Sequence, residues 1–438
     1  MTAIDLFRGG TPEGPGEALA AYRSATALGS PLTWHLDLAN VGLLSRAAVE
    51  GARPLDVVLR ADDLAPDRTE VANEGELVPT LRRLLERAPL RLRMSNGRPY
   101  VMPPPALDIS TNDLCGLQCV MCKNRAPRRD PHTIASTEVR ALIAEAAAWG
   151  IRRVALTGAG EPFRDPEMLE HVRFANGLGH VVTITTNGFP ISEAVAAELA
   201  GSSASISVSI HGATEATHDA IVAVPTAGEH AFRAIRRLVA ARDALGGRSK
   251  LSVNVSTVIQ RANVTEIAAL VRRARDEGCN GINVQPINLQ HGSIDDGRIV
   301  RRDDVGMMAS LWPTPAQAAD LDRLIDELAE LKQRFGAFVH ASPERIALFR
   351  KYFRSPTREA LGLSCRVGET FLAVDHRGRI KPCYRLPWSH GDARLVSVRA
   401  LWNSEAYART RALVDVCPLV CLNNCFNRGA ARPAPREA

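Results

Sequence analysis

The sequence predicts an α/β protein: a partial (β/α)6 barrel of TIM type, preceded by an N-terminal α+β extension and followed by a small cysteine-rich C-terminal domain. Three observations carry this expectation. Candidate strands and helices alternate through six units between Leu107 and Leu289. Three neighbouring strands each show one polar and one aliphatic face. Eight of the nine cysteines fall in two groups, one just after the first of these strands and one near the C-terminus.

Composition sets the outer bounds. The 438 residues are 45% hydrophobic and 23% charged, which excludes a disordered, collagen-like or low-complexity chain and suits two or three domains. No apolar run reaches the roughly 18 residues that a membrane span needs. The first ten residues contain Asp5 and Arg8 and no apolar stretch of the signal-peptide kind, so a cytoplasmic location is expected. The net charge is +6, and its basic residues, nearly all arginine, are dispersed. That pattern reads as a solvated surface rather than a nucleic-acid patch. An odd number of cysteines in a reducing compartment disfavours disulfides, and their clustering points to metal.

The elements follow in chain order. Residues up to about Tyr100 carry no recognisable chemistry. Glu76 to Arg87 reads as a short amphipathic helix, and Leu90–Met94 and Tyr100–Met102 read as strands around the turn Asn96-Gly97. Pro103-Pro104-Pro105 stiffens the chain and marks a boundary. The expected divisions are residues 1–102, 103–290 for the barrel, 291–360 for a helical linker, 361–430 for the cysteine-rich domain, and a tail at 431–438. The expected strands are Leu107–Ser110, Arg153–Thr157, Val181–Thr186, Ser205–Ile210, Ser252–Ile259 and Gly281–Gln285. The expected helices are Glu138–Trp149, Pro166–Gly177, Ile191–Leu199, Glu229–Leu245 and Asn263–Glu277. A helix between each pair of strands implies parallel pairing, in an open doubly wound sheet or a partial barrel.

The strand faces choose between these two. Ser205, Ser207 and Ser209 alternate with Ile206, Val208 and Ile210. Thr183 and Thr185 alternate with Val182 and Ile184, and Ser252, Asn254 and Ser256 with Val253 and Val255. Strands covered by helices on both faces read as continuous aliphatic runs. One polar face therefore implies a lumen built for a polar ligand. After Leu289 a polar stretch leads to a helix from Pro315 to Phe335, with an apolar stripe at Leu321, Leu324, Ile325, Leu328 and Leu331.

Cys115, Cys119 and Cys122 lie within eight residues directly after the first strand. Structural zinc wants four ligands, and no fourth cysteine or histidine lies nearby, so zinc requires a distant residue. A [4Fe–4S] cluster on three cysteines keeps one iron open for an exchangeable ligand. This C-x3-C-x2-C loop after the first strand of a (β/α) unit resembles the radical SAM superfamily. The resemblance implies a [4Fe–4S] cluster on Cys115, Cys119 and Cys122, S-adenosylmethionine (SAM) chelated at the open iron, and a 5′-deoxyadenosyl radical that abstracts hydrogen from a substrate. Gly158-Ala159-Gly160-Glu161-Pro162 after the second strand is similar to the family's Gly-Gly-Glu-Pro turn, which implies cofactor contacts at Gly158, Gly160, Glu161 and Pro162. Thr186-Asn187-Gly188 ends the third strand in the family's manner. Asn187, Ser207, Ser209, Asn254, Ser256 and Gln285 occupy strand positions where the family meets SAM. The chain departs at Met121, where an aromatic residue is usual, and at Ala159, where glycine is usual. It also has Ala220-Ile221-Val222 where relatives carry an arginine, so the SAM carboxylate anchor has no assigned residue. His211, where relatives are acidic, is either substrate-facing or structural.

Cys365, Cys383, Cys417, Cys421 and Cys425 form the second group. A hairpin from Phe371–Val374 through Asp375-His376-Arg377-Gly378 to Arg379–Tyr384 brings Cys383 back towards Cys365. The spacing resembles the opening of SPASM and twitch extensions. That resemblance implies one auxiliary [4Fe–4S] cluster on Cys365, Cys383 and an undecided subset of Cys417, Cys421 and Cys425, with a zinc knuckle as the alternative. Cys279 is expected to be a packing residue. The N-terminal residues lack Asp-x-His-x-x-Gly, so no cobalamin module of the usual kind is expected. The family implies a reductant such as ferredoxin or flavodoxin. It also implies a peptide or peptide-like substrate, with a small natural-product intermediate, or a non-catalytic iron–sulfur electron-transfer or sensor protein, as alternatives.

Overall fold

The computed structural model describes residues 33–37, 56–60, 91–93, 99–101, 103–122, 132–295, 298–362, 365, 367–386 and 389–422, and the structural statements below concern these. The chain forms two compact units. One comprises Met1–Pro104, Glu145–Ile151 and Ser397–Ala408; the other comprises Pro105–Ala144, Arg152–Val396 and Arg409–Ala438.

In the first unit, β1 (Thr33–Asp37) pairs antiparallel with β2 (Asp56–Arg60), and β3 (Arg91–Arg93) with β4 (Pro99–Val101). The latter pair falls where strands around Asn96-Gly97 were expected. The expected helix Glu76–Arg87 lies outside the described residues. Trp149 and Trp402 are fully buried and meet edge to face at 6.0 Å, with Tyr407 5.0 Å beyond Trp402.

The second unit is built on β5 (Leu107–Ser110), β6 (Arg153–Thr157), β7 (Val181–Thr186), β8 (Ala204–Ser209), β9 (Ser252–Ile259) and β10 (Gly281–Pro286), parallel throughout and adjacent in sequence order. A doubly wound sheet reverses its strand order at a switch point. Here the order never reverses, and right-handed crossovers then put every connecting helix on one face. The other face is the lumen of a partial barrel.

Burial follows this geometry. On β8 the residues alternate buried and half-buried, with Ile206 and Val208 under the helices and Ser205, Ser207 and Ser209 inside. β6 alternates likewise, β7 alternates buried residues with half-buried Thr183 and exposed Val181 and Thr185, and Ser256 and Gln285 are half-buried on β9 and β10. The polar lumen expected from the sequence is present. All six expected strands form, their ends within one residue of the observed ones.

Two strand pairings were not expected. The region after Leu289 contains an antiparallel pair, β11 (Gln290–Asp295) with β12 (Arg298–Asp303). The hairpin of β13 (Leu372–Val374) and β14 (Ile380–Lys381) joins the barrel sheet, because β13 pairs in parallel with β5. Adding β13 covers the open edge of β5, and a bridge from Val339 to Ile282 covers that of β10. The Ala318–Phe335 helix buries its predicted stripe and packs against the Ile267–Asp276 and Pro343–Arg354 helices.

Candidate functional site

The loop Thr111–Cys122 leaves the C-terminal end of β5, the end at which barrel enzymes place their chemistry. It is laced on one side to the turn after β6. Gly160 N donates to Asn112 O (3.2 Å), Glu161 N to Leu114 O (2.6 Å), and the Asn112 amide to Glu161 O (3.1 Å). On the other side it docks on a helix terminus. The Glu215–Val222 helix stops at Ala223, which is left-handed (φ 55°), and the carbonyls of Ile221 and Val222 accept from Val120 N (2.9 Å) and Gln118 N (3.1 Å). The thiol loop therefore satisfies carbonyls that a helix end leaves without partners. Alanine at a left-handed position costs about 1 kcal/mol that glycine does not. Ala223→Gly is expected to raise stability by up to that amount in chemical denaturation, and a lowered midpoint would count against this account of the terminus.

Cys115 and Cys122 are exposed and Cys119 is half-buried. Burial first, then the neighbouring Cys122 and Cys115, push Cys119 up to about 12. Burial also raises Cys115, with Cys122 adding to the rise. The three thiols share one space, since ionised Cys122 and Cys115 oppose ionisation of Cys119, and ionised Cys122 opposes that of Cys115. Among the described residues, no three His, Cys, Asp or Glu side chains converge closely enough to hold a single metal ion. A wider group, held by three thiols and open on its exposed side, fits this donor set.

The strand ends beside this loop are tied together by Glu161. Its buried carboxylate accepts from the Thr186 hydroxyl (2.7 Å), Asn187 N (2.7 Å) and Phe163 N (3.2 Å). Burial raises its affinity for a proton, and those three bonds oppose the rise. Glu161 thus fastens the end of β7 to the turn after β6, while Gly160 brings backbone close to Leu114 in the loop and Gly158 lets the turn fold closely on Gly160. The Asn187 amide points at Cys115 Sγ (3.9 Å). Pro162 opens a short 3-10 turn under the same corner.

Ser207, Ser209, Ser256 and Gln285 face the lumen as expected. Asn254 also lies on this face, but it is buried and donates to Ser205 Oγ (3.1 Å) and Ser252 Oγ (3.0 Å). His211 is buried and stacked on His218 at 5.8 Å. Its backbone N–H donates to His218 Nδ1, and its own Nδ1 accepts from Val258 N. Burial, with each other's proximity adding for His211, lowers His211 to about 3, and burial lowers His218 to about 4, so both are neutral at pH 7. Those contacts are structural.

Sequence reasoning missed Asp108. It sits on the lumen side of β5, and its Oδ1 accepts from the Thr157 hydroxyl (2.7 Å) and the Tyr384 hydroxyl (2.7 Å). The signal was present as an acidic residue at an inward position of the first strand. Burial raises its pKa from 3.8 to about 6, against the two hydrogen bonds. The folded chain therefore holds this proton more tightly than the unfolded chain. The stabilisation is full below the unfolded value and is lost as pH rises through about 6. Asn at this position keeps the hydroxyl bonds and has no charge to desolvate. Asp108→Asn is expected to match the parent at acid pH and to exceed it above neutrality by about 1–2 kcal/mol, read by urea denaturation across pH. Equal stability at both ends of the range would refute the stated burial of the charge.

Cys365, Cys383, Cys417 and Cys421 come together in the second thiol group, packed with Val367, Phe371, Leu386, Val414 and Leu419. Burial raises all three of Cys365, Cys383 and Cys417, the last to about 11, and Cys421 adds to each rise. Of the undecided C-terminal trio, Cys417 and Cys421 lie in this group; Cys425 lies outside the described residues. Four thiols fit a fully cysteine-held cluster. The hairpin turn also meets the first loop, with His376 Nε2 3.3 Å from Asp113 Oδ2. Cys279 is buried, as expected of a packing residue.

A family profile for the Radical SAM superfamily matches residues 109–274, and one for SPASM, an iron–sulfur cluster-binding domain, matches residues 365–426. The chain carries a radical SAM domain and, C-terminal to it, a SPASM domain. It is 32% identical over 275 residues to the mycofactocin maturase MftC of Mycobacterium tuberculosis, covering 61% of each chain, so it spans about three-fifths of that relative's length. It is 24% identical over 311 residues to the AdoMet-dependent heme synthase of Methanosarcina barkeri, covering 68% of this chain and 82% of that one. In fold it is similar to Streptococcus suis SuiB bound to S-adenosylmethionine (TM-score 0.54, 16% identity, covering 83% of this chain and 82% of that one). It is also similar in fold to anSMEcpe with bound AdoMet (TM-score 0.51, 13% identity, covering 70% and 83%). Among the described residues, no helix is long and apolar enough to cross a membrane.

Proposed function

We propose that this protein is a radical SAM enzyme that modifies a peptide or peptide-like substrate. The observation that carries the reading is the trio Cys115, Cys119 and Cys122 on one loop, two of them exposed, set beside the strand ends of a polar lumen. When bound there, a three-cysteine [4Fe–4S] cluster with SAM supplies one-electron cleavage of the sulfonium and a 5′-deoxyadenosyl radical that takes hydrogen from a substrate. Cys115, Cys119 and Cys122 hold the cluster. The turn Gly158–Pro162 and Asn187 present backbone and amide groups beside it, and Ser207, Ser209, Ser256 and Gln285 line the lumen where the cofactor and substrate lie. Cys365, Cys383, Cys417 and Cys421 hold an auxiliary [4Fe–4S] cluster, and with all four thiols in place this group suits electron transfer rather than substrate ligation. An electron donor such as ferredoxin or flavodoxin completes the cycle.

Peptide modification is supported by two comparisons. The mycofactocin maturase is named for maturation, and SuiB has been crystallised with its precursor peptide SuiA (TM-score 0.52). The heme synthase, matched over 82% of its length, favours a small-molecule substrate as the second reading. Anaerobically reconstituted protein is expected to contain about eight irons per chain, for two four-iron clusters, and to release 5′-deoxyadenosine from SAM and dithionite. Iron without SAM cleavage would mark an electron carrier or sensor instead. Peptide and metabolite profiles of a deletion strain separate the two substrate classes.

A further inference from the structure

The inward positions of β5 to β10 carry small residues, hydroxyls, amides and a few aliphatic groups, and two charges. One is Asp108. The other is Arg153, two residues further from the thiol loop on the neighbouring strand. Hydroxyls and amides do not accept protons near neutrality, so Asp108 is the one carboxylate among the inward residues of β5 to β10 that can act as a base. Its carboxyl is fixed at one oxygen only. Thr157 and Tyr384 both donate to Oδ1, and no described residue bonds Oδ2. Asp108 is half-buried, so Oδ2 is presented to the lumen. Tyr384 directly follows Cys383, and its ring packs on Phe371 at 5.6 Å, so the residue that positions the carboxyl comes from the second thiol group. Lys381 lies on the same sheet face, across Ala373 from Asp108.

We propose that Asp108 is a catalytic residue that accepts a proton from the substrate at Oδ2, and that Tyr384 and Thr157 are the residues that position it. The proposal rests on the radical SAM reading and narrows it to substrates with an N–H or O–H group on the reacting carbon. The carbon first loses a hydrogen atom to the 5′-deoxyadenosyl radical, which becomes 5′-deoxyadenosine. The carbon radical then gives one electron to an iron–sulfur acceptor, while its N–H or O–H bond breaks and the proton passes to Asp108. The carbon–heteroatom bond becomes double. The substrate has lost two electrons and two protons in all, and Asp108 returns its proton to solvent. Deprotonation is needed at this step because the product without it is a cation, which a nearly neutral cavity stabilises poorly.

The test uses the full chain with Asp108→Asn, Asp108→Glu and Tyr384→Phe, reconstituted anaerobically and also expressed in a deletion strain. The readouts are iron content, 5′-deoxyadenosine, and the molecule whose formation depends on the wild-type gene. Iron is expected at the wild-type level in all three. The ratio of product to 5′-deoxyadenosine falls at least about a hundredfold in Asp108→Asn, the scale of a lost general base, and recovers in part in Asp108→Glu. An infrared titration of aspartate-labelled protein without substrate shows a carboxyl with a midpoint at about 6 that is absent in Asp108→Asn. In Tyr384→Phe that midpoint moves up, because the carboxylate has lost a donated bond. An unchanged product ratio in Asp108→Asn overturns the proposal, as does a carboxyl signal indifferent to Tyr384. A wild-type protein that forms no 5′-deoxyadenosine overturns the radical SAM reading itself, which is a separate result.

Discussion

Replacing Cys115, Cys119 or Cys122 by alanine is expected to lower 5′-deoxyadenosine release from SAM at least about a thousandfold, equivalent to about 4 kcal/mol of barrier. The three thiols share one space, with Cys115 and Cys119 raised by burial and by the neighbouring thiols, and the cationic group that relieves them needs all three. Two thiols leave that group without a complete set, and the nearby Glu161 carboxylate is already engaged by Thr186, Asn187 and Phe163. The loop itself should survive the change. Backbone bonds from Gln118 and Val120 to the helix end, and from Glu161 to Leu114, hold it independently of the thiols. Circular dichroism should therefore be unaltered. Iron should fall from about eight to about four per chain, because the second thiol group stands on other elements. An alanine variant that keeps full iron and full SAM cleavage would remove the basis for the proposed function.

The barrel and its first thiol loop were legible because their signals are local. Alternation of Ser with Ile and Val along β8 places three hydroxyls on one face whatever the neighbouring strands do. C-x3-C-x2-C puts three thiols into one turn-rich loop without help from distant residues. The same local logic found the β13–β14 hairpin, whose turn places Gly378 at φ 75°. It did not find that β13 adds to β5, because that parallel pairing joins segments more than two hundred residues apart and leaves no periodicity in either. It read 290–303 as a polar stretch, since Gln290–Asp295 and Arg298–Asp303 pair with each other while carrying few aliphatic residues. The Asp108–Tyr384 bond spans 276 positions, so an inward carboxylate was visible without its partner. The second thiol group shows the same division. Cys365 and Cys383 could be joined through the hairpin, whereas Cys417 and Cys421 are brought in by the chain after the Glu405–Asp415 helix, which no spacing rule placed.

Gly160→Ala is expected to be the most damaging substitution of a residue that holds no metal. A methyl group at Gly160 would stand 2.1 Å from Leu114 O, 2.4 Å from Leu114 C and 2.5 Å from Leu114 N. These are backbone atoms, so no side-chain rotation relieves the overlap, and the residue displaced immediately precedes Cys115. Moving the loop away also strains the bonds Gly160 N to Asn112 O and Glu161 N to Leu114 O, which hold the loop on this side. Overpacking of this kind costs about 1–3 kcal/mol. The chain should still fold, with a denaturation midpoint lowered accordingly. Displacing a reacting centre by about an ångström costs about a hundredfold in rate, so SAM cleavage should fall by at least that factor. Ala159, one residue earlier, is the internal control: a side chain is already accommodated there, and Ala159→Gly should change SAM cleavage little. Equal effects at the two positions would show that the turn tolerates side chains generally, and that the close approach at Gly160 does not set the position of Cys115.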